Sequence, residues 1–258
     1  MNTKVDVLDH GYVELVGSWG SDEDIISSAR MSTGKGFQGW GIEECNEVQL
    51  LNHIDPNYKP CSKGTSQCIT KHVGDEKLLR YLWTNKHTSP FEMAGLTIEV
   101  QAPIMVFREW HRHRTQSYNE FSARYAELPD LFYIPSIERL MAGKQAKTNK
   151  QSSEAGFDSI EALYIRDEIR LSCEASRYKY EQLLACGLSR ELARLVIPVN
   201  QYSKMRASAN LLNWLKFHTL RLNPGAQWEI RQYASVVAKF VEYGFPRTYA
   251  LFAEELNA

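Results

Sequence analysis

The densest chemistry in the chain lies between Arg112 and Tyr125, in the run Arg112-His113-Arg114-Thr115-Gln116-Ser117-Tyr118-Asn119-Glu120-Phe121-Ser122-Ala123-Arg124-Tyr125. Three guanidiniums, an imidazole, a carboxylate and two serine hydroxyls fall within fourteen positions. A guanidinium presents five donors in a rigid plane and matches phosphate or carboxylate oxygens in pairs. The chemistry that fits is recognition of an anionic ligand with planar, polar parts. The competing account is a solvated helix end with ion pairs from Arg112 to Glu109 or Glu120, each worth about 1 kcal/mol or less. Three features favour a ligand site. Arg112, His113 and Arg114 are consecutive, so their side chains spread around a helix and cannot share one packing face. Tyr118, Phe121 and Tyr125 interrupt the polar run and would hold it against a core. Ser122 stands ten residues beyond Arg112, outside local capping range.

The elements that must position this stretch follow from periodicity and punctuation. Val5 and Val7, then Val13 and Leu15, alternate around Gly11 as a strand or hairpin. Ser21 followed by Asp22, Glu23 and Asp24 is a capped, acidic first turn, and the helix continues to about Ser32. Residues 75–86 are helical by spacing, and Pro90 suits the first position of a new short helix. Leu96, Ile98 and Val100 alternate as a strand. Pro103 opens a helix that faces Ile104, Phe107 and Trp110 inward and delivers Arg108, Glu109, Arg112 and His113 within two turns, with Arg108 and Arg112 on one face. Leu131 to Pro135 reads as extended, and Ala142 to Ser153 as exposed. A long helix covers 160–186 and ends at Gly187; Ser189 starts another, which Pro198 ends. Tyr202 to Ala207 reads as a strand, and helices follow over 211–220, 226–243 and 246–256. The expected fold is α+β, one domain over 1–258 with a central antiparallel sheet flanked by helices and an inserted loop or flap at about 33–74. Within that insertion, Glu43 to Asn52 is a candidate helix.

Bulk properties narrow the class. Apolar residues make up 43% and charged residues 24% of the 258 residues, ordinary globular usage, and the formal net charge is −1. That balance argues against an RNA-binding module or any coat on a nucleic acid polymer. The N-terminus lacks a basic region followed by an apolar one, and no stretch approaches the ~20 apolar residues of a membrane span. A cytoplasmic protein with reduced thiols is expected, with no membrane partner. Cys61 and Cys68 lie near His53 and His72, but their spacing fits none of the usual structural zinc patterns, so no metal is expected. Gly34-Lys35-Gly36-Phe37-Gln38-Gly39 matches G-x-G-x-x-G, yet a helix rather than a strand precedes it, so it reads as a loop and not a dinucleotide site.

The run Arg112-His113-Arg114 followed by seven residues and Ser122 resembles the signature of the flavin-dependent thymidylate synthases. Ser117, Asn119, Glu120 and Arg124 fit its longer form. His87-Thr88-Ser89-Pro90-Phe91-Glu92, Arg190-Glu191-Leu192-Ala193-Arg194 with Pro198, Leu220-Arg221, and Ala226-Gln227-Trp228-Glu229-Ile230 are similar to further segments of that family, as is Ala29-Arg30-Met31-Ser32. The resemblance implies methylation of dUMP to dTMP, with methylenetetrahydrofolate giving the carbon and FAD, reduced by NADPH, giving the hydride. By matching positions it implies FAD contacts at Ser89, Arg112, His113, Arg114, Glu120 and Asn210. It implies dUMP contacts at Glu109, Trp110, His111, Arg112, Glu120, Phe121, Ser122, Ala123, Arg124, Arg194 and Arg221. It also implies a homotetramer whose active sites are shared between subunits.

The residue types suit that chemistry. Negative charge on N3 and the carbonyl oxygens of uracil makes C5 nucleophilic, and Arg221 can stabilise it. With a pKa above ~12 it does so electrostatically rather than by proton transfer. Arg124, Arg194 and the Ser122 hydroxyl can meet a phosphate. Ser122 has no dedicated base beside it in sequence and reads as a positioning hydroxyl, not a nucleophile. His87 is either a flavin or folate contact or a turn histidine capping the helix of Pro90. Family members often carry arginine where this chain has Leu212, and Lys216, one turn later, is the residue that would compensate. Pro60-Cys61 is a faint match to the unrelated cysteine-dependent synthases, but Ser62 stands where they have histidine.

Overall fold

Alternating apolar residues build one five-stranded sheet. The computed structural model describes residues 3–41, 44–45, 70–71, 74–145, 153–154 and 156–256. Strands β1 (Lys4–Val7) and β2 (Gly11–Trp19) form the expected hairpin, with Val5 opposite Val13 and Val7 opposite Gly11. Glycine is required at position 11: a Cβ there would lie 2.0 Å from the Tyr233 hydroxyl oxygen. Two-residue strands β3 (Glu44–Cys45) and β4 (Thr70–Lys71) pair with each other. Strand β5 (Gly95–Pro103) buries Leu96, Ile98 and Val100. Strand β6 covers Ser117–Glu120, β7 (Lys144–Gln145) pairs with β8 (Ser153–Glu154), and β9 covers Tyr202–Asn210. The large sheet runs β1-β2-β5-β9-β6. Its strands are antiparallel. Tyr12 donates to Glu99 while Gln101 donates to the His10 carbonyl, and Thr97 meets Ser208 while Glu99 meets Arg206.

Chain contacts divide the protein into two compact units, each built from three stretches of sequence. The first comprises Met1–Ser18, Leu96–Ala209 and Asn213–Phe240 and holds the large sheet. In it α3 (Ile104–Trp110) follows β5 directly, and α4 (Ile137–Met141) precedes α5 (Ser159–Ala185). A reciprocal capping box between Asp158 and Glu161 starts α5, and Gly187, at φ +82°, lets the chain leave it. Helix α6 spans Arg190–Ala193, α7 spans Leu211–Arg221 and α8 spans Trp228–Gly244. Trp110 of α3 and Phe217 of α7 are buried against each other, ring centroids 4.7 Å apart.

The second unit comprises Trp19–Gly95, Asn210–Leu212 and Val241–Ala258. It contains α1 (Asp22–Arg30), α2 (Gly74–Thr84), a short 3-10 turn (Ser89–Glu92) with Pro90 in its first turn, and α9 (Pro246–Leu256). The buried Asp22 carboxylate accepts from the Arg247 and Thr248 amides and the Thr248 hydroxyl, satisfying donors at the start of α9. Among the described residues no helix is long and apolar enough to cross a membrane.

Two expectations are corrected. The helix opened by Pro103 stops at Trp110, so Arg112 and His113 lie in the turn beyond it rather than on its face. The Tyr118 hydroxyl donates to the carbonyls of Trp110 and His113 and pins that turn. Residues Ser117–Glu120 then form an edge strand against β9, with Ser117 opposite Ser208 and Glu120 opposite Met205. Pairing with β9 supplies the hydrogen-bond partners of this segment's backbone. Within the span 43–52, Glu44–Cys45 is a strand, and the rest of that candidate helix lies outside the described residues. His53, Pro60, Cys61, Cys68 and His72 lie outside them too.

Candidate active site

The arginine-rich stretch separates into two groups of side chains within the first unit. One group lines a cavity of about 560 Å³. His111 comes from the residue after α3; Glu120, Phe121, Ser122 and Ala123 come from the end of β6 and the turn after it; Arg194 comes from the turn after α6. Arg108, Ile104 and Phe107 of α3 and Ser203 of β9 complete the polar and apolar walls, with Leu128, Leu195 and Ile197. The Ser203 hydroxyl donates to Glu120 at 3.1 Å, fixing the carboxylate on the wall. His111 lies 3.2 Å from the Met205 sulfur and 4.9 Å from the Tyr118 ring centroid. The cavity combines two guanidiniums, one carboxylate, hydroxyls and an apolar floor, which is the composition of a site for a polar, anionic small molecule.

The second group surrounds Arg221. Its Nη1 donates to Glu109 Oε2 at 2.7 Å, its Nη2 to the Glu109 carbonyl at 2.7 Å, and its Nε to His113 Nε2 at 2.9 Å. His113 is therefore neutral and carries its proton on Nδ1. Burial and the Arg221 charge push its pKa down to about 4, against a smaller opposing pull from Glu109. Its ring packs edge-on to Phe217 at 4.8 Å. Glu109, Arg112 and Arg221 line a cavity of about 750 Å³ with Thr219, Leu220, Asn223, Gly225, Ala226 and Gln227.

The other residues singled out in the sequence lie as follows. Trp110 is fully buried and donates its indole N–H to Gln116 at 3.0 Å. Arg112 and Arg114 are exposed, and among the described residues neither forms an ion pair. Arg124 is exposed and pairs with Glu191 at 3.3 Å. Asn210 ends β9, Leu212 is buried, and Lys216 is exposed on α7. His87 and Ser89 belong to the second unit and line a cavity of about 440 Å³ there, with Ser28, Ala29, Ser32, Leu82, Pro90 and Met93. Arg108 and Arg112, expected on one face, line different cavities because α3 ends between them. Sequence reading left Arg108, Ser203, Asn223 and Gln227 out of the site. Arg108 had a usable signal: it lies four residues after Ile104 and three before His111, on one helical face. Ser203 had none, because β9 is joined to the site only by strand pairing.

A family model described as "Thymidylate synthase complementing protein" matches residues 14–247. The chain belongs to this family. It is 39% identical over 253 residues to the flavin-dependent thymidylate synthase of Thermus thermophilus, covering 98% of this chain and 79% of the relative. The flavin-dependent thymidylate synthase of Anaplasma marginale is 37% identical over 254 residues, covering 98% and 76%. Among solved structures, the UMP/dUMP methylase PolB from Streptomyces cacaoi, bound with 5-Br UMP, superposes with a TM-score of 0.74 at 30% identity, over 97% of each chain. The protein is thus an enzyme of the flavin-dependent thymidylate synthase family, and segments that resemble that family line all three cavities: Glu120 to Ala123 and Arg194 the first, Arg112 and Arg221 the second, His87 and Ser89 the third.

Proposed function

We propose that the protein converts dUMP, methylenetetrahydrofolate, NADPH and a proton into dTMP, tetrahydrofolate and NADP, using bound FAD. The observation that carries this reading is the 560 Å³ cavity, where Arg108, Arg194, Ser122 and Glu120 converge in a chain of this family. A nucleoside monophosphate needs guanidiniums for its phosphate, hydroxyl and carboxylate partners for its sugar, and an apolar wall for its base. That wall is available from Phe107, Phe121 and Leu195.

Arg221 is the residue proposed to polarise the uracil. Its plane is held by Glu109 and His113, so it needs little reorganisation to stabilise charge on N3 and the carbonyl oxygens. A neutral His113 leaves that positive charge undiminished and offers its Nδ1–H as a further donor. When bound, the flavin supplies the hydride that turns the transferred methylene into a methyl group. The chain fits such a group: Arg112 and Arg114 are exposed guanidiniums free of ion pairs among the described residues, as an anionic dinucleotide requires. Leu212, where relatives often carry arginine, is buried, and the exposed Lys216 is proposed to supply the missing charge. His87, Ser89 and Asn210 are proposed to complete the site across subunits of a homotetramer in the cytoplasm.

The test is an absorbance spectrum of the purified protein with FAD. Flavin bands that bleach with NADPH, and dTMP formed on adding dUMP and methylenetetrahydrofolate, are expected. A protein that binds no FAD and forms no dTMP overturns the reading.

A further inference from the structure

We infer that Arg108 is the main phosphate-binding residue of the nucleotide cavity, rather than Arg124, to which the sequence pattern points. The inference rests on the dUMP reading above.

Arg124 and Arg108 differ in what they have left to give. Arg124 is outside the lining of the cavity, and Glu191 already meets its guanidinium at 3.3 Å. Arg108 lines the cavity, and among the described residues its guanidinium has no hydrogen bond or ion pair. Arg194, on another wall, spends only its Nε, on the Glu191 carbonyl at 3.3 Å, and forms no ion pair among the described residues. The one carboxylate of the lining, Glu120, is engaged by Ser203. Neither guanidinium is paired with that carboxylate, so the lining keeps a net positive charge and two free forks, which favours a phosphate of charge close to −2.

The local structure explains why Arg108 is held there. Trp110 and Phe107 are buried to 0% and 1% exposure, so α3 cannot rotate about its axis. Ile104, Arg108 and His111 then share the face that lines the cavity. Arg108 lies between Phe107 and Trp110, both buried, and is the one guanidinium that α3 brings to the cavity. The shortness of α3 matters as well. Had the helix continued, Arg112 would have shared this face and competed for the same anion.

The test compares Arg108→Gln, Arg108→Lys and Arg124→Gln in steady-state assays. Arg108→Gln is expected to raise the KM for dUMP at least about tenfold while kcat at saturating dUMP stays within about threefold, because the phosphate is remote from C5. Its KM for methylenetetrahydrofolate and its melting temperature should match the wild type. Arg108→Lys, which keeps the charge but not the fork, should recover part of the loss. Arg124→Gln should raise the KM for dUMP less than Arg108→Gln does. An unchanged KM in Arg108→Gln, a larger effect in Arg124→Gln, or a fall in kcat together with melting temperature would each overturn the inference. A wild-type enzyme that makes no dTMP would instead refute the dUMP reading itself.

Discussion

Arg221 and Glu109 are joined twice, once through the Glu109 carboxylate and once through its backbone carbonyl, both at 2.7 Å. The double contact fixes the guanidinium plane and not merely its charge. The side chains are 12% and 34% exposed, so the pair is shielded more than an ordinary surface ion pair. A lysine ammonium has one nitrogen and cannot reproduce the three separate contacts that Arg221 makes through Nε, Nη1 and Nη2. Arg221→Lys should therefore lower turnover by about 100- to 1000-fold, the usual effect of removing an oriented donor from developing charge. Its circular dichroism should remain that of a folded protein. Wild-type dTMP formation in this variant would remove Arg221 from the mechanism.

On the proposed role of Arg221, Glu109 is the group with which the uracil would compete. Its carboxylate pairs with Arg221 at 2.7 Å and offsets part of the guanidinium charge. Glu109→Gln keeps the carbonyl contact and a neutral acceptor but removes the counter-charge. The variant should bind dUMP more tightly, by a few-fold, and lose about 1 kcal/mol of stability because Arg221 is left uncompensated. For a chain of this length that is a fall of about 2–4 °C in melting temperature. Isothermal titration with dUMP and a thermal melt check both halves; weaker dUMP binding would show that the carboxylate assists rather than competes.

The fold was legible wherever local pattern decided it. Leu96, Ile98 and Val100 announce β5, and Gly187 marks the end of α5. The site was less legible because its geometry comes from pairing between distant segments. Ser117–Glu120 becomes a strand only because β9 offers it an edge, and that edge brings Ser203 to Glu120. Arg112 leaves the α3 face because Tyr118 reaches back to two carbonyls in the turn. No spacing rule pairs Arg124 with Glu191, so its neutralisation could not be foreseen. The guanidiniums were visible in the sequence; the charge each has left to offer was not.

In the second unit, Asp75 ties the glycine-rich loop to two helices. Its fully buried carboxylate accepts from both Nε and Nη2 of Arg30 on α1, and from the amides of Gln38 at 2.6 Å and Gly39 at 3.1 Å. This explains the role of the G-x-G-x-x-G run as an anchored loop: its amides point at a side chain of the protein. Asp75→Asn keeps an acceptor but leaves Arg30 without a counter-charge and turns an amide N–H₂ toward donors. The expected cost is about 3 kcal/mol, in the range for breaking a buried pair. Denaturant unfolding monitored by fluorescence measures it. A loss under 1 kcal/mol would mean that the loop is held by other contacts, such as Trp40 donating to Glu23 at 2.7 Å.

The buried His113 beside Arg221 also contributes to how the protein responds to acid. Burial first, and the Arg221 charge second, hold the His113 pKa down at about 4, against about 6.5 for a histidine in an unfolded chain. Between those values the unfolded chain binds a proton that the folded chain refuses. The stabilising contribution is therefore complete above pH 6.5 and is lost as pH falls toward 4. At pH 5 the loss from His113 alone is about 2 kcal/mol, or about 4–8 °C in melting temperature. His218 is pushed down in the same direction, to about 3, by burial and then by the charge of His113, so it adds to the same acid sensitivity. His113→Gln keeps an acceptor for Arg221 Nε and cannot take up a proton. It should melt lower than the wild type at pH 7.5 but lose less on going to pH 5. Equal losses in the two proteins between these pH values would show that His113 is not the group that titrates.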